Sequence, residues 1–207
     1  MNGEHWILMG SWLVFGFMHS LMAACRFKKL CQGFMGRYFA YYRLLYSIWA
    51  LLSLTGVLVW QFSFRSVPVG NFPVIKWLAG ILAGIPGILL MGISIRKYFF
   101  NLSGVSALIR RRESDVLATG GLHGYVRHPL YLGTLLFIWA LFFFFPLISN
   151  LLSCIMITMY TLVGIRLEEK KLLEKFGAVY ASYRKRTPML IPWLARQPQE
   201  TPIFPLR

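Results

Sequence analysis

Two short segments of this 207-residue chain hold most of the side chains able to do chemistry. The first reads Thr119-Gly120-Gly121-Leu122-His123-Gly124-Tyr125-Val126-Arg127-His128-Pro129-Leu130-Tyr131 and stands directly before a long apolar run. Its glycines let backbone approach a ligand closely, and Pro129 suits the first turn of a helix, where a missing N–H is no loss. A helix starting there offers unpaired N–H groups and a positive dipole end beside Arg127 and His128, a place that favours an anionic group of a ligand. The plain alternative is a turn with a flanking charge.

The second segment, Arg166 to Arg186, follows another apolar run. Leu172, Leu173, Phe176, Val179, Tyr180 and Tyr183 recur at helical spacing, which predicts an amphipathic helix broken at Gly177. Glu168 and Glu169 fall on or near its apolar stripe. The chain has only seven acids, so two adjacent carboxylates at a membrane exit are candidates for ligand contact. Ordinary pairing within the helix, Glu168 with Lys171 and Arg166 with Glu169, is the alternative. Elsewhere, His19 and Ser20 lie inside an apolar stretch, where a histidine more often joins two helices than binds a ligand. His5 reads as an interfacial residue of little information. Cys25, Cys31 and Cys154 have no metal-ligand spacing and read as free structural thiols.

The elements that must position these groups are membrane helices. Hydrophobic residues make up 57% of the chain and charged ones 14%, with a mean hydropathy of +0.58. Those values lie outside the range of a water-soluble domain. The net charge of +15 does not point to nucleic acid, because the basic residues flank apolar runs rather than forming a soluble face. Stretches of about 20 apolar residues predict spans at about 5–25, 44–62 and 72–95. The block from Leu130 to about Ile165 is too long for one crossing, and Pro146, Ser149 and Asn150 divide it into a hairpin of about 130–145 and 151–165. Glycines at 80, 84, 87 and 92 and Pro86 in the third span predict close packing and a kink, and glycines 80, 84 and 87 mark a gap where a lipid-soluble molecule could enter sideways.

Basic residues cluster after the first, third and fifth spans, whereas the other two connections offer little more than Arg65. The positive-inside rule then places the N-terminus outside and the C-terminus in the cytoplasm. The expectation is a single all-α integral membrane domain of about five transmembrane helices with a cytoplasmic C-terminal amphipathic helix. No cleavable signal peptide is evident, since Glu4 stands where a basic region would be. The tail from Gln197 to Arg207 reads as irregular.

Taken together, Arg127-His128-Pro129-x-Tyr131 and Glu168-Glu169-x-x-x-Leu173-x-x-x-Gly177-x-x-Tyr180-x-x-Tyr183 resemble the membrane methyltransferases related to isoprenylcysteine carboxyl methyltransferase and the bacterial phospholipid methyltransferases, over roughly residues 85 to 192. Arg186-Thr187-Pro188-Met189-Leu190-Ile191-Pro192 is closer to the methanethiol S-methyltransferases, and Met18-His19-Ser20-Leu21-Met22-Ala23 is similar to their opening and to that of NnrU-type membrane proteins. The resemblance implies S-adenosylmethionine held at the cytoplasmic membrane surface by a region of about 110–192, without a Rossmann domain; the chain has no strand-GxGxxG-helix unit. It implies cofactor contacts at the backbone of Asp115, Val116, Leu117 and Ala118 and at His123, His128, Tyr131 and Glu168. His123 stands where the family usually has Tyr. The isoprenylcysteine branch carries an Arg four residues before the first of the two acids, and Gly164 occupies that place here.

A physical reading of these residues is coherent. Methyl transfer from a sulfonium needs an aligned nucleophile in a dry site more than a strong base. Glu168 or Glu169 could hold the donor's ammonium or ribose, Arg127 and His128 its carboxylate, and Arg166, with Glu169 as the second catalytic candidate, could stabilise an anionic acceptor. The expected partners are the bilayer of a bacterial inner membrane and a small hydrophobic or lipid-linked acceptor bearing a thiol, carboxylate or amine; no nucleic acid, resident metal or obligate protein partner is expected. Two alternatives are an NADPH-dependent sterol-type membrane reductase and a non-enzymatic NnrU-like accessory protein in which His5 and His19 bind a metal or haem.

Overall fold

The structure, a computed structural model, describes residues 2–70, 73–103 and 117–192. Asp115, Val116 and the tail from Gln197 lie outside the described residues. Among the described residues six helices are formed: α1 Gly3–Ala23, α2 Cys25–Met35, α3 Tyr42–Ser63, α4 Pro73–Ser103, α5 Pro129–Phe144 and α6 Ile148–Arg186. Short 3₁₀ turns occupy Gly36–Tyr41 and Gly121–Gly124. Among the described residues the only β-type pairing is an isolated bridge between Pro68 and Leu147.

The protein is an all-α membrane bundle. α1, α3, α4 and the first part of α6 are long and apolar enough to cross a bilayer, and α5 is a shorter apolar helix. Pro129 fixes the start of α5, and Pro146 stands just past its end, which limits it to 16 residues. Large apolar side chains such as Leu13, Phe17, Leu52, Leu82 and Leu89 stand exposed. In water that would be a liability, but lipid is their solvent, and α-helices satisfy every backbone group internally there.

The predicted spans thus correspond to helices, with two refinements. α2 is an additional helix whose residues are largely exposed. The fifth span and the amphipathic helix are one element, α6, interrupted only at Gly177, whose φ of 52° and ψ of −127° depart from helical geometry. Glycine tolerates that conformation because it has no Cβ.

Hydrogen bonds fix which ends lie together. The N–H of Val69 donates to the Pro146 carbonyl and that of Ile148 to the Val67 carbonyl, joining the α3–α4 and α5–α6 connections. His5 sits beside them, 1% exposed, with Nε2 3.3 Å from the Ser66 hydroxyl, which accepts from the Ser149 N–H. His5 is therefore a buried tie between helix ends rather than an interfacial residue. The Tyr42 hydroxyl donates to the Met22 carbonyl at the opposite end, where α1 stops, α3 and α5 begin and α6 continues. In between, Trp12 Nε1 donates to Ser153, Ser153 to Gln61 Oε1, and Gln61 Nε2 to Asn150. This chain of satisfied bonds pins α1, α3 and α6 to one register in an apolar medium.

Gly80, Gly84 and Gly87 of α4 mark a closed seam rather than a gap. A Cβ on Gly87 would come within 2.8 Å of the Phe137 nitrogen, and one on Gly133 within 2.9 Å of the Met91 nitrogen. Gly80 and Gly84 face Phe144 and Ala140. The small residues bring α4 and α5 into backbone contact, where dispersion replaces the missing hydrophobic drive, and α4 remains helical through Pro86.

Candidate functional site

The site forms where α5 begins and α6 carries its two acids past the bundle. Successive residues of a helix point about 100° apart, so the two carboxylates turn to different partners. Glu168 accepts a hydrogen bond from the Tyr131 hydroxyl at 2.9 Å. Glu169 takes Arg127, whose Nε and Nη2 donate to Oε1 at 2.7 and 2.6 Å, while His128 Nε2 lies 3.3 Å from the same oxygen. Neither intrahelical pairing expected for these acids forms the contact; the partners come from 37 to 42 residues away.

Arg127 is a fastener in three directions. Its Nη1 also donates to the carbonyls of Arg184 and Thr187, and its main-chain N–H and that of His128 donate to the carbonyls of Pro188 and Met189. Thr187, Pro188 and Met189, just past α6, are thereby folded back onto the start of α5. Pro188 leaves its own carbonyl available while offering no donor.

The electrostatics follow from this geometry. Burial pushes the Glu169 carboxyl upward, but the Arg127 guanidinium and His128 outweigh it and hold the group below the ordinary carboxylate range. Tyr180 stands beside the pair, 1% exposed; burial first, and then the Glu169 anion, push its hydroxyl up to about 12. That hydroxyl has no hydrogen-bond partner among the described residues. Tyr183 donates to the His123 carbonyl at 2.6 Å, and His123 Nδ1 lies 3.0 Å from the Arg127 carbonyl, so the 3₁₀ turn is stitched to the same cluster.

Arg127, His128, Tyr131, Glu168 and Glu169 are thus brought together, with His123 at their edge. Leu117 and Ala118 lie on the approach to the turn, half-buried and exposed respectively. Arg166 is exposed on α6 and takes no part in the cluster. Sequence reasoning did not assign the hydroxyls of Tyr180 and Tyr183 or the carbonyls of residues 184–189 to the site. Two tyrosines three residues apart on an otherwise apolar stripe were the available signal.

A second polar group adjoins the first inside the bundle. His19 Nε2 lies 2.6 Å from the Tyr46 hydroxyl, and Ser20 donates to Tyr160 at 3.2 Å. Tyr160 packs on α1 over Gly16, where a Cβ would come within 2.9 Å of its ring. Tyr131 lies within electrostatic reach of both Tyr160 and Tyr46. Beyond His19, between α1 and α3, runs an apolar cleft of about 390 Å³ lined by residues including Phe15, Met18, Trp49, Gly56 and Trp60.

A helical membrane bundle carrying an Arg-His-Pro-x-Tyr helix start locked to a Glu-Glu helix exit defines a class, and comparison with known proteins agrees. Residues 79–179 match the phospholipid methyltransferase family. Two methanethiol S-methyltransferases of Bradyrhizobium diazoefficiens are 32% and 34% identical over 87% of this chain, which spans 64% and 70% of their lengths. The protein-S-isoprenylcysteine O-methyltransferase of Schizosaccharomyces pombe is 37% identical over 40% of the chain and 36% of its own length. No solved structure matches. The chain belongs to the membrane methyltransferase family that contains the methanethiol S-methyltransferases and the isoprenylcysteine enzymes.

Proposed function

We propose that this protein transfers a methyl group from S-adenosylmethionine to a small hydrophobic thiol at the cytoplasmic face of a bacterial inner membrane, with its N-terminus outside. The observation that carries this reading is the contact between Tyr131 and Glu168, which joins both halves of the site on one side of the bundle. Glu168 is half-buried, and its second oxygen accepts no hydrogen bond among the described residues. A carboxylate so placed fits a donor that carries an ammonium, ribose hydroxyls and a sulfonium. The N–H groups opening α5, with His128, suit the donor's carboxylate, and Leu117 and Ala118 with His123 would line the remainder.

The donor supplies a methyl group already activated by its positive sulfur; the protein supplies alignment and exclusion of water. Arg127 and Glu169 satisfy each other, so their role in this reading is to hold α5, α6 and residues 187–189 in position, and Arg166 has none. The thiol is favoured because the methanethiol S-methyltransferases align over most of the chain, whereas the isoprenylcysteine enzyme aligns over less than half.

The test is calorimetry of detergent-purified protein with S-adenosylhomocysteine and, separately, NADPH, followed by transfer of labelled methyl to methanethiol. Micromolar binding of the first, lost in Glu168→Ala, is expected. Binding of NADPH alone overturns the reading.

A further inference from the structure

His19 is not consumed by its contact with Tyr46. The imidazole bridges α1 and α3 through Nε2, yet Nδ1 is shielded from solvent and has no hydrogen-bond partner among the described residues. An unmatched ring nitrogen in an apolar interior costs free energy unless something uses it. Its surroundings are specific. Phe15 lies with its ring centroid 5.6 Å from that of His19, and the same Phe15 lines the α1–α3 cleft. Tyr46 begins the α3 stripe that continues through Trp49, Ser53, Gly56 and Trp60 along the cleft wall. On the other side the ring of Tyr160 is 6.1 Å away, edge-on, and Tyr160 lies within electrostatic reach of Tyr131, the partner of Glu168. An apolar passage, a buried base and the donor-side carboxylate therefore stand in series.

We propose that the acceptor thiol comes from the bilayer along the α1–α3 cleft, passes Phe15 and gives its proton to Nδ1 of His19 as its sulfur takes the methyl group. This deepens the proposed function and rests on it. The assignment has Nε2–H donating to the Tyr46 oxygen and the Tyr46 O–H donating to the His19 carbonyl, 3.4 Å away. Nδ1 then carries the lone pair. In the step the acceptor's S–H bond breaks and its proton goes to Nδ1. The sulfur forms the S–CH₃ bond, and the electron pair of the donor's C–S bond returns to the donor sulfur, leaving a neutral thioether on each side. The titratable groups facing His19 are Tyr46 on α3 and Tyr160 on α6; Ser20 lies beside it on α1. Among the described residues no carboxylate faces it, so the imidazole is the base at hand.

The experiment measures kcat and KM for two thiols, an alkyl thiol protonated at the assay pH and an aryl thiol already ionised there. His19→Ala should lower kcat/KM for the alkyl thiol by about 100-fold or more, the usual scale of general-base catalysis, and for the aryl thiol by less than about 10-fold. S-adenosylhomocysteine binding should be unchanged. His19→Gln, which keeps a partner for Tyr46, serves where the alanine variant does not fold. Independently, Gly56→Leu, placed where a Cβ meets open space, should raise KM for both thiols several-fold at constant kcat. An equal loss for both thiols, or an unchanged KM in Gly56→Leu, overturns the proposal. Wild-type protein that binds no S-adenosylhomocysteine and methylates no thiol refutes the proposed function itself.

Discussion

Arg127 and Glu169, 42 residues apart, meet at 2.6 Å with side chains only 9% and 12% exposed. A nearly buried pair with extra bonds to His128 and to main-chain carbonyls is costly to break from one side, because the survivor is left charged without a partner.

Arg127→Ala and Glu169→Ala should each destabilise the protein by about 3–5 kcal/mol. The double variant should lose clearly less than the sum of the two, since both remove the same interaction. Unfolding followed in detergent measures all three; strict additivity would show that the pair is not energetically coupled.

The same pair sets an acid limit. Glu169 is held below the usual carboxylate range in the folded protein, so the unfolded chain takes up its proton first as pH falls. The stabilisation is complete above the ordinary carboxylate range and disappears as pH drops through the lowered folded value. Melting temperature against pH should show this acid-side decline, and Glu169→Gln should flatten it.

Glu168 and Tyr131 are predicted to act on the donor with little effect on folding. Glu168→Gln should weaken S-adenosylhomocysteine binding about 10- to 100-fold, matching the 1.5–3 kcal/mol of a charge-assisted hydrogen bond. Tyr131→Phe should weaken it by roughly 10-fold or less. Calorimetry beside a melting curve separates the two effects, and an unaltered affinity in Glu168→Gln would remove that carboxylate from the donor site.

Glycines of α4 should divide by what lies opposite them. Gly87→Ala places a methyl 2.8 Å from backbone of α5 and should cost about 1–3 kcal/mol as overpacking. Gly92→Ala meets nothing within 4 Å and should be neutral or stabilising by up to about 1 kcal/mol. Paired unfolding curves decide whether the seam is as tight as the geometry requires.

Much of this was legible in the residues because lipid simplifies the code. Spans follow from apolar length, and the pairing of the two motifs follows from their standing at the start of α5 and the exit of α6. The partners of each acid were not legible. Glu168 and Glu169 offer intrahelical cations at the right spacing, and only the approach of α5 shows that Tyr131 and Arg127 take them instead. Gly80, Gly84 and Gly87 were ambiguous for a related reason: a small residue permits close approach but does not say whether a partner arrives. The amphipathic α2 was missed because its basic residues were absorbed into the charge asymmetry of a loop.

α6 runs unbroken from Ile148 toward Gly177. Glu168 stands 20 residues beyond Ile148, about 30 Å along the axis, and that distance equals the thickness of the hydrocarbon layer. In the proposed reading helix pitch alone sets the carboxylate at the oil–water boundary. A polar reagent arriving from solution and a greasy one dissolved in the acyl chains can each reach such a point without leaving its own phase, and only the protein's interior lets them touch.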